Sequence, residues 1–402
     1  MSKTHLSMKH IANHLLLFAG CATLLVQPAT TQTFSIFHNF TSGGVCPGLV
    51  MDTAANLYGA AGGGTYGFGT IYKLTPAGGF TTVYNFTGGA DGVGPCSKLA
   101  LDAQGNLYGA SNSGGTNGGG DVFKLTPGGS VTVLYNFPAT PDLYFPDAGL
   151  TLDSSNNIYG TREYGGSFGS GTAFEVPAGG VGTILHNFGA AGDGKQPRAG
   201  VVVDANGDIY GTTYHGGTGK CGTSGGCGSV FEIASGGTLK ILHSFDNRLP
   251  LEGKFPWSDL LLDSQGNIYG TTWKGGDRSI FSQGYGTAFK IAPDGTETVL
   301  RAFAGPNFGD GCLPLGGVVM DSQGNLFGTT WGCGVYGGLS KNGGVVFEIT
   351  FSGTEKVLYN FNKAKLGAFH PEGDLVMDGQ GNLYGTASGG AYGFGVVFKV
   401  TP

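Results

Sequence analysis

Three large aromatic residues recur at nearly equal intervals, Tyr214, Trp273 and Trp331, each four residues beyond a repeated Tyr-Gly or Phe-Gly pair. The same count reaches Gly62, Asn112, Glu163 and Ser388 elsewhere in the chain. Arg162, Glu163, His215 and Lys274 lie beside these positions, and Trp257 falls in a neighbouring connection. Flat aromatic faces beside hydrogen-bonding groups suit a sugar ring, or a peptide that presents apolar patches. Packing between structural elements would use the same residues for a plainer purpose, and Gly neighbours leave room for it.

A second group is acidic. Asp91, Asp142, Asp193, Glu252 and Asp310 occur in Gly- and Pro-containing connections. Paired carboxylates perform glycosidase chemistry, and clustered ones bind calcium. An Asp in such a loop is more commonly a turn cap, which is the expectation here. Asp204-Ala-Asn-Gly-Asp208 has a calcium-loop flavour but shares its frame with six sister turns, so it reads as a turn. Nucleophilic catalysis has little support, because His38, His186, His215, His243 and His370 are scattered. No phosphate loop or cofactor motif appears. No Cys-x-x-Cys pair or Cys/His cluster supports zinc, so no metal or other cofactor is expected, calcium being the nearest possibility.

What must position these residues is a sevenfold repeat. Asp-x-x-x-Asn/Asp-Leu/Ile-Tyr/Phe-Gly starts at Asp52, Asp102, Asp153, Asp204, Asp263, Asp321 and Asp378. Each copy continues through a Gly-rich stretch, Gly-x-x-Phe/Tyr-Lys/Glu, a Pro/Gly turn and a run ending in Asn-Phe or similar. The second copy shows four strand-like runs, Lys98–Leu101, Asn106–Ala110, Asp121–Leu125 and Ser130–Phe137. Aromatic and charged residues alternate in the third run, the period of a half-buried strand. Four antiparallel strands in about 50 residues is propeller arithmetic. The fold expected is therefore all-β, a seven-bladed β-propeller. The last copy stops after its third strand, and residues 34–40 resemble the missing fourth. The N-terminal strand should complete the last blade and close the ring, leaving no sheet edge to pair.

Residues 1–31 read as a signal peptide, with Lys3 and Lys9 before an apolar stretch, and residues 32–402 as one propeller domain. A lipoprotein box ending at Cys21 is the weaker alternative. Removing residues 1–31 takes away two lysines and no acids, so the net charge moves from −6 to −8. An acidic chain disfavours nucleic acid and anionic lipid. No later segment could span a bilayer as a helix. Six cysteines then remain, suited to disulfides in an oxidising compartment. Cys221 and Cys227 enclose a short flexible loop, Cys312 and Cys333 lie in one repeat, and Cys46 and Cys96 occupy matching places in adjacent repeats. A secreted, periplasmic or surface-located monomer is expected.

The core Asp-x-x-Gly-Asn-Leu/Ile-Tyr-Gly-Thr, with Gly-x-Val/Ala-Phe-Lys/Glu after it, resembles the GloVer tandem repeats of bacterial exported and surface proteins. The likeness covers residues 34–402. More loosely it is similar to NHL-type and lactonase-like propellers. The GloVer resemblance implies a surface or secreted location and carries no established activity. The expected function is thus a non-catalytic propeller that binds carbohydrate, peptide or protein through its loop-rich face. The alternative is a propeller-type hydrolase, lyase or lactonase with acidic residues near the central channel.

Overall fold

The computed structural model describes residues 32–138, 148–222, 225–279, 281–336 and 343–402. Seven small antiparallel sheets are arranged as blades. Blade 1 runs outward from the axis as Val50–Met51, Leu57–Ala61, Thr70–Leu74 and Phe80–Asn85, and the next five blades repeat this order. In blade 7 the outermost strand is Thr33–Asn39, from the start of the described chain, antiparallel to Val396–Thr401. In blade 2 the observed strands are Ala100–Leu101, Leu107–Ser111, Gly118–Leu125 and Val131–Pro138. The innermost strand is shorter than the sequence suggested, because Lys98 and Leu99 leave the ladder before it begins.

The repeat motif now has a physical explanation. Asp263 Oδ1 accepts the backbone N–H groups of Gln265 and Asn267, while Oδ2 accepts from Asn267 Nδ2 and the Tyr269 hydroxyl. One carboxylate closes the turn and ties it to the second strand. Burial alone would push its pKa up, but these donors outweigh burial and hold it below the usual range. Asp52, Asp102 and Asp378 behave alike. Asp263→Ala is expected to cost about 1–3 kcal/mol, the usual penalty for leaving several donors unmet, read by urea denaturation.

Glycine follows Tyr in the motif because the third-strand aromatic fills its side-chain space. A Cβ on Gly270 would lie 2.7 Å from Phe289 Cζ and 2.8 Å from Leu260 Cδ2. The Thr after it bonds the next blade: Thr161, Thr271 and Thr329 donate to the carbonyls of Ala199, Gly316 and Gly373.

Between blades the core is aromatic. Each terminal Phe of a fourth strand meets the third-strand aromatic of the following blade, as Phe86–Phe123, Phe137–Phe174, Phe188–Phe231, Phe245–Phe289, Phe303–Phe347 and Phe361–Phe398. Phe40, just past the N-terminal strand, makes the seventh such pair with Tyr72 of blade 1. Ring centroids in all seven pairs lie 4.9–5.3 Å apart, mostly edge to face. That geometry adds to the burial of the rings.

Blades 4 to 7 carry short additional ladders, where the incoming connection pairs beyond the ordinary end of the second strand. Gly194–Lys195 pairs with His215–Gly216, Gly253–Pro256 with Ile268–Gly275, Gly311–Cys312 with Gly332–Cys333, and Ala368–Pro371 with Leu383–Gly389. These ladders stiffen the loop-rich face on one side of the ring.

Candidate functional site

The residue four places before each repeat Asp stands where the chain enters its innermost strand. Those residues are Gly48, Lys98, Gly149, Gly200, Asp259, Gly317 and Asp374. Glycine is needed at most of them by crowding at the axis. A Cβ on Gly200 would lie 2.6 Å from the Gly149 carbonyl oxygen, and one on Gly317 2.6 Å from that of Asp259.

The three exceptions are charged and meet. Lys98 Nζ lies 3.0 Å from Asp259 Oδ2 and 2.6 Å from Asp374 Oδ2, joining blades 2, 5 and 7. The other carboxylate oxygens accept backbone N–H groups, Asp259 from Gly200 at 2.7 Å and Asp374 from Gly317 at 2.5 Å. Burial raises Asp374, but the Lys98 ammonium and the Gly317 N–H outweigh it and leave this carboxyl below its ordinary pKa. For Asp259, burial and the adjacent Asp374 prevail over Lys98, and its pKa is raised. Lys98 loses by burial and gains more from the two carboxylates, so it stays firmly protonated.

Above this ionic floor a cavity of about 320 Å³ opens on the loop-rich face, with all seven blades contributing to its lining. Its rim includes Cys96, Arg198, Trp257, Leu315 and Glu372, each six residues before a repeat Asp. The Arg198 guanidinium lies 4.0 Å from the Tyr214 ring centre and 4.1 Å from that of Trp257. Its Nε donates to Glu163 Oε1 at 2.7 Å. On another arc of the rim, Trp331 Nε1 donates to Glu372 Oε1 at 3.2 Å and stacks on His370 at 3.9 Å. Burial pushes Glu372 above its usual pKa despite bonds from Trp331 and Ser388.

Of the residues singled out in the sequence, Trp257 lines the cavity, and Tyr214 and Glu163 reach it through Arg198. Tyr214 is only 8% exposed, so it supports the guanidinium and offers no free face. Trp273 lies 6.2 Å from Tyr214 and 6.0 Å from Trp257, with Lys274 over its ring at 3.9 Å. His215 meets the Tyr214 ring edge-on. Arg162 is buried over Phe137, 4.5 Å from its ring centre, and its guanidinium donates to the Gly119 carbonyl between blades 2 and 3. Trp331 belongs to the arc with Glu372.

Among the described residues, the inter-blade acids do not line this cavity. Asp91 binds the Tyr84 hydroxyl and the Thr87 backbone, Asp193 binds His186 and the Gly189 N–H, and Asp310 binds Arg301 and the Ala304 N–H. They tie outer strands to loops, and Asp142 lies outside the described residues. The channel acids are Asp259, Asp374 and Glu372 instead. Counting from the repeated Tyr missed them, with Lys98 and Arg198. Counting back from the repeat Asp exposes them as charges in a glycine column. The far end of the axis also holds a hollow, lined by repeat turns whose Asp204 and Asp263 are already committed to their own bonds.

Cys46–Cys96, Cys221–Cys227 and Cys312–Cys333 form disulfides, the first joining the connections into blades 1 and 2 at the cavity rim. Three disulfides fit an oxidising extracellular or periplasmic setting. Among the described residues no helix is long and apolar enough to cross a membrane. The proposed signal segment and Cys21 lie outside those residues.

Seven four-stranded blades with a charged cavity at one mouth of the axis define a seven-bladed β-propeller. The chain belongs to the Gloeobacter/Verrucomicrobia repeat family, whose model matches residues 22–225 and 222–402. No curated protein matches it by sequence. Among solved structures it is similar to virginiamycin B lyase from Staphylococcus aureus, at TM-score 0.58 and 14% identity, over 92% of this chain and 99% of that one. It is also similar to the extracellular domain of a putative hybrid two component system from B. thetaiotaomicron, at TM-score 0.54 and 12% identity, over 91% of this chain and 39% of that one. Puromycin hydrolase matches at TM-score 0.54 and 14% identity, over 86% of this chain and 50% of that one. At such identities the likeness shows the fold alone.

Proposed function

We propose that this is an exported carbohydrate-binding propeller that seats a sugar at the channel mouth. The observation that carries the reading is the Trp257–Arg198 stack above a floor of two fixed carboxylates and an ammonium. A sugar ring presents one apolar face and a rim of hydroxyls. It needs a flat wall beside donors and acceptors held in place before it arrives. Carboxylates already gripped by Lys98 and backbone N–H groups keep their orientation, so little ordering is left for binding to offset.

Glycan-array and titration measurements on Trp257→Ala should show at least a tenfold loss of affinity for whichever glycan the unmodified protein retains. Retention unchanged in that variant, or no glycan retained at all, would refute the reading. The hydrolase or lyase alternative has one observation in its favour, two carboxylates on one floor with Asp259 held towards its protonated form. Lys98 bridging both speaks for a fixed binding surface. Turnover of a retained glycan that disappears in Asp259→Asn would replace binding with catalysis.

A further inference from the structure

Away from the channel, one outer-strand place is repeated in every blade, two residues before the terminal Phe. It is filled by His38, Tyr84, Tyr135, His186, His243, Arg301 and Tyr359. Each faces the residue six places before the terminal Phe of the following blade. In five blades that neighbour is apolar or Gly, as where Phe80 stacks on His38 and Phe34 on Tyr359. The last two are Glu297, opposite His243, and Glu355, opposite Arg301.

These two places differ in charge. Arg301 reaches both Asp310, at 2.7 Å, and Glu355, at 2.6 Å, so a fixed cation sits between two acids. At the sister place the loop acid is Glu252, and an imidazole stands where the guanidinium would be. His243 Nε2 lies 2.7 Å from Glu252 Oε1 and 3.8 Å from Glu297 Oε2. One donor atom from each residue falls within 4.8 Å of the others. Glu252 is only 4% exposed, and its second oxygen, Oε2, has no hydrogen-bond partner. Two carboxyl groups and an imidazole, brought together largely out of water with one carboxyl oxygen unpartnered, make a ready set of ligand atoms for a cation.

We propose that His243, Glu252 and Glu297 bind a divalent transition-metal ion of the zinc class, between blades 4 and 5. Zinc takes one imidazole nitrogen and carboxylate oxygens at about 2.0–2.2 Å, which puts neighbouring ligand atoms about 3.3 Å apart. The observed separations of 2.7 and 3.8 Å straddle that value. Calcium wants six or more oxygen ligands and no imidazole, so it fits less well. Three protein ligands leave a position for water. The place lies on the outer strands, not at the channel mouth, so the ion ties blade 4 to blade 5 whatever the channel binds.

Tag-free, full-length protein stripped with a chelator and titrated with zinc chloride tests the assignment by native mass spectrometry and calorimetry. One zinc per chain is expected, with a raised Tm that calcium does not reproduce. Glu297→Gln should weaken binding at least tenfold. His243→Arg copies the neighbouring place of Arg301, so it should keep the fold, judged by circular dichroism, and take up no zinc. No zinc bound by the unmodified chain, or equal binding by His243→Arg, overturns the proposal. Should His243→Arg fail to fold, undiminished zinc binding by a folded Glu297→Gln overturns it equally.

Discussion

Lys98→Met is expected to lower unfolding stability by about 3 kcal/mol or somewhat less, measured by urea denaturation at pH 7. Removing one partner of a buried ion pair typically costs roughly 3–5 kcal/mol, because the remaining charge stays buried without compensation. Here two carboxylates are left behind, Asp259 and Asp374, and they come from different blades. The Lys98 side chain is 32% exposed to the channel, so water lessens the loss, and the low end applies.

The pH dependence separates this effect from ordinary loss of packing. In the unmodified protein the Asp374 pKa is lowered, so its contribution is present above the usual carboxylate range and fades as pH falls through it. The repeat-turn carboxylates Asp52, Asp102, Asp263 and Asp378 act in the same direction. In Lys98→Met, burial and mutual repulsion push both channel carboxyls up. A raised carboxyl pKa means the folded state binds protons more tightly, so its penalty grows as pH rises. The difference in stability between the two proteins should therefore shrink as pH falls from 7 to about 4. A difference that stays constant over this window would show that Lys98 acts by packing alone. Asp259→Asn in the Lys98→Met background should recover part of the loss at pH 7, since one of the two stranded charges is gone.

This floor shows why the scaffold was legible in the sequence and the site was not. The turn Asp, the Gly after Tyr and the terminal Phe each answer to a contact inside one blade or with the next. Such contacts recur seven times and survive as a visible pattern. Lys98, Asp259 and Asp374 answer to one another across the channel, 161 and 276 residues apart in sequence. No local period links them, and what betrays them is only their departure from glycine at a shared register. The aromatic series was a different case. Its residues do cluster in part, yet Tyr214 and Trp331 have rings covered by Arg198 and His370, which residue type and spacing do not disclose. His243 shows the same limit, because its partners Glu252 and Glu297 come from the connection after it and from the following blade.

Phe289→Ala should be the costliest single change in the core, at about 3–5 kcal/mol. Its ring is fully buried, sits edge to face on Phe245 of the preceding blade at 5.3 Å, and covers Gly270 of its own blade. Losing it opens a cavity where two blades meet, and a closed ring cannot collapse one such junction without displacing the others. Gly270→Ala approaches the same place from the opposite side. Its new Cβ would press on Phe289 and on Leu260, and overpacking of this kind costs roughly 1–3 kcal/mol. The two changes share one volume, so they should not add. In the Phe289→Ala background the Gly270 methyl meets space where the ring had been, and Gly270→Ala should cost at least about 1 kcal/mol less than it does alone. A double-mutant cycle by chemical denaturation measures that coupling. Strict additivity would mean that glycine stands at Gly270 for its backbone freedom. Coupling of the stated sign means that it stands there because the core aromatic has already taken the space of a side chain.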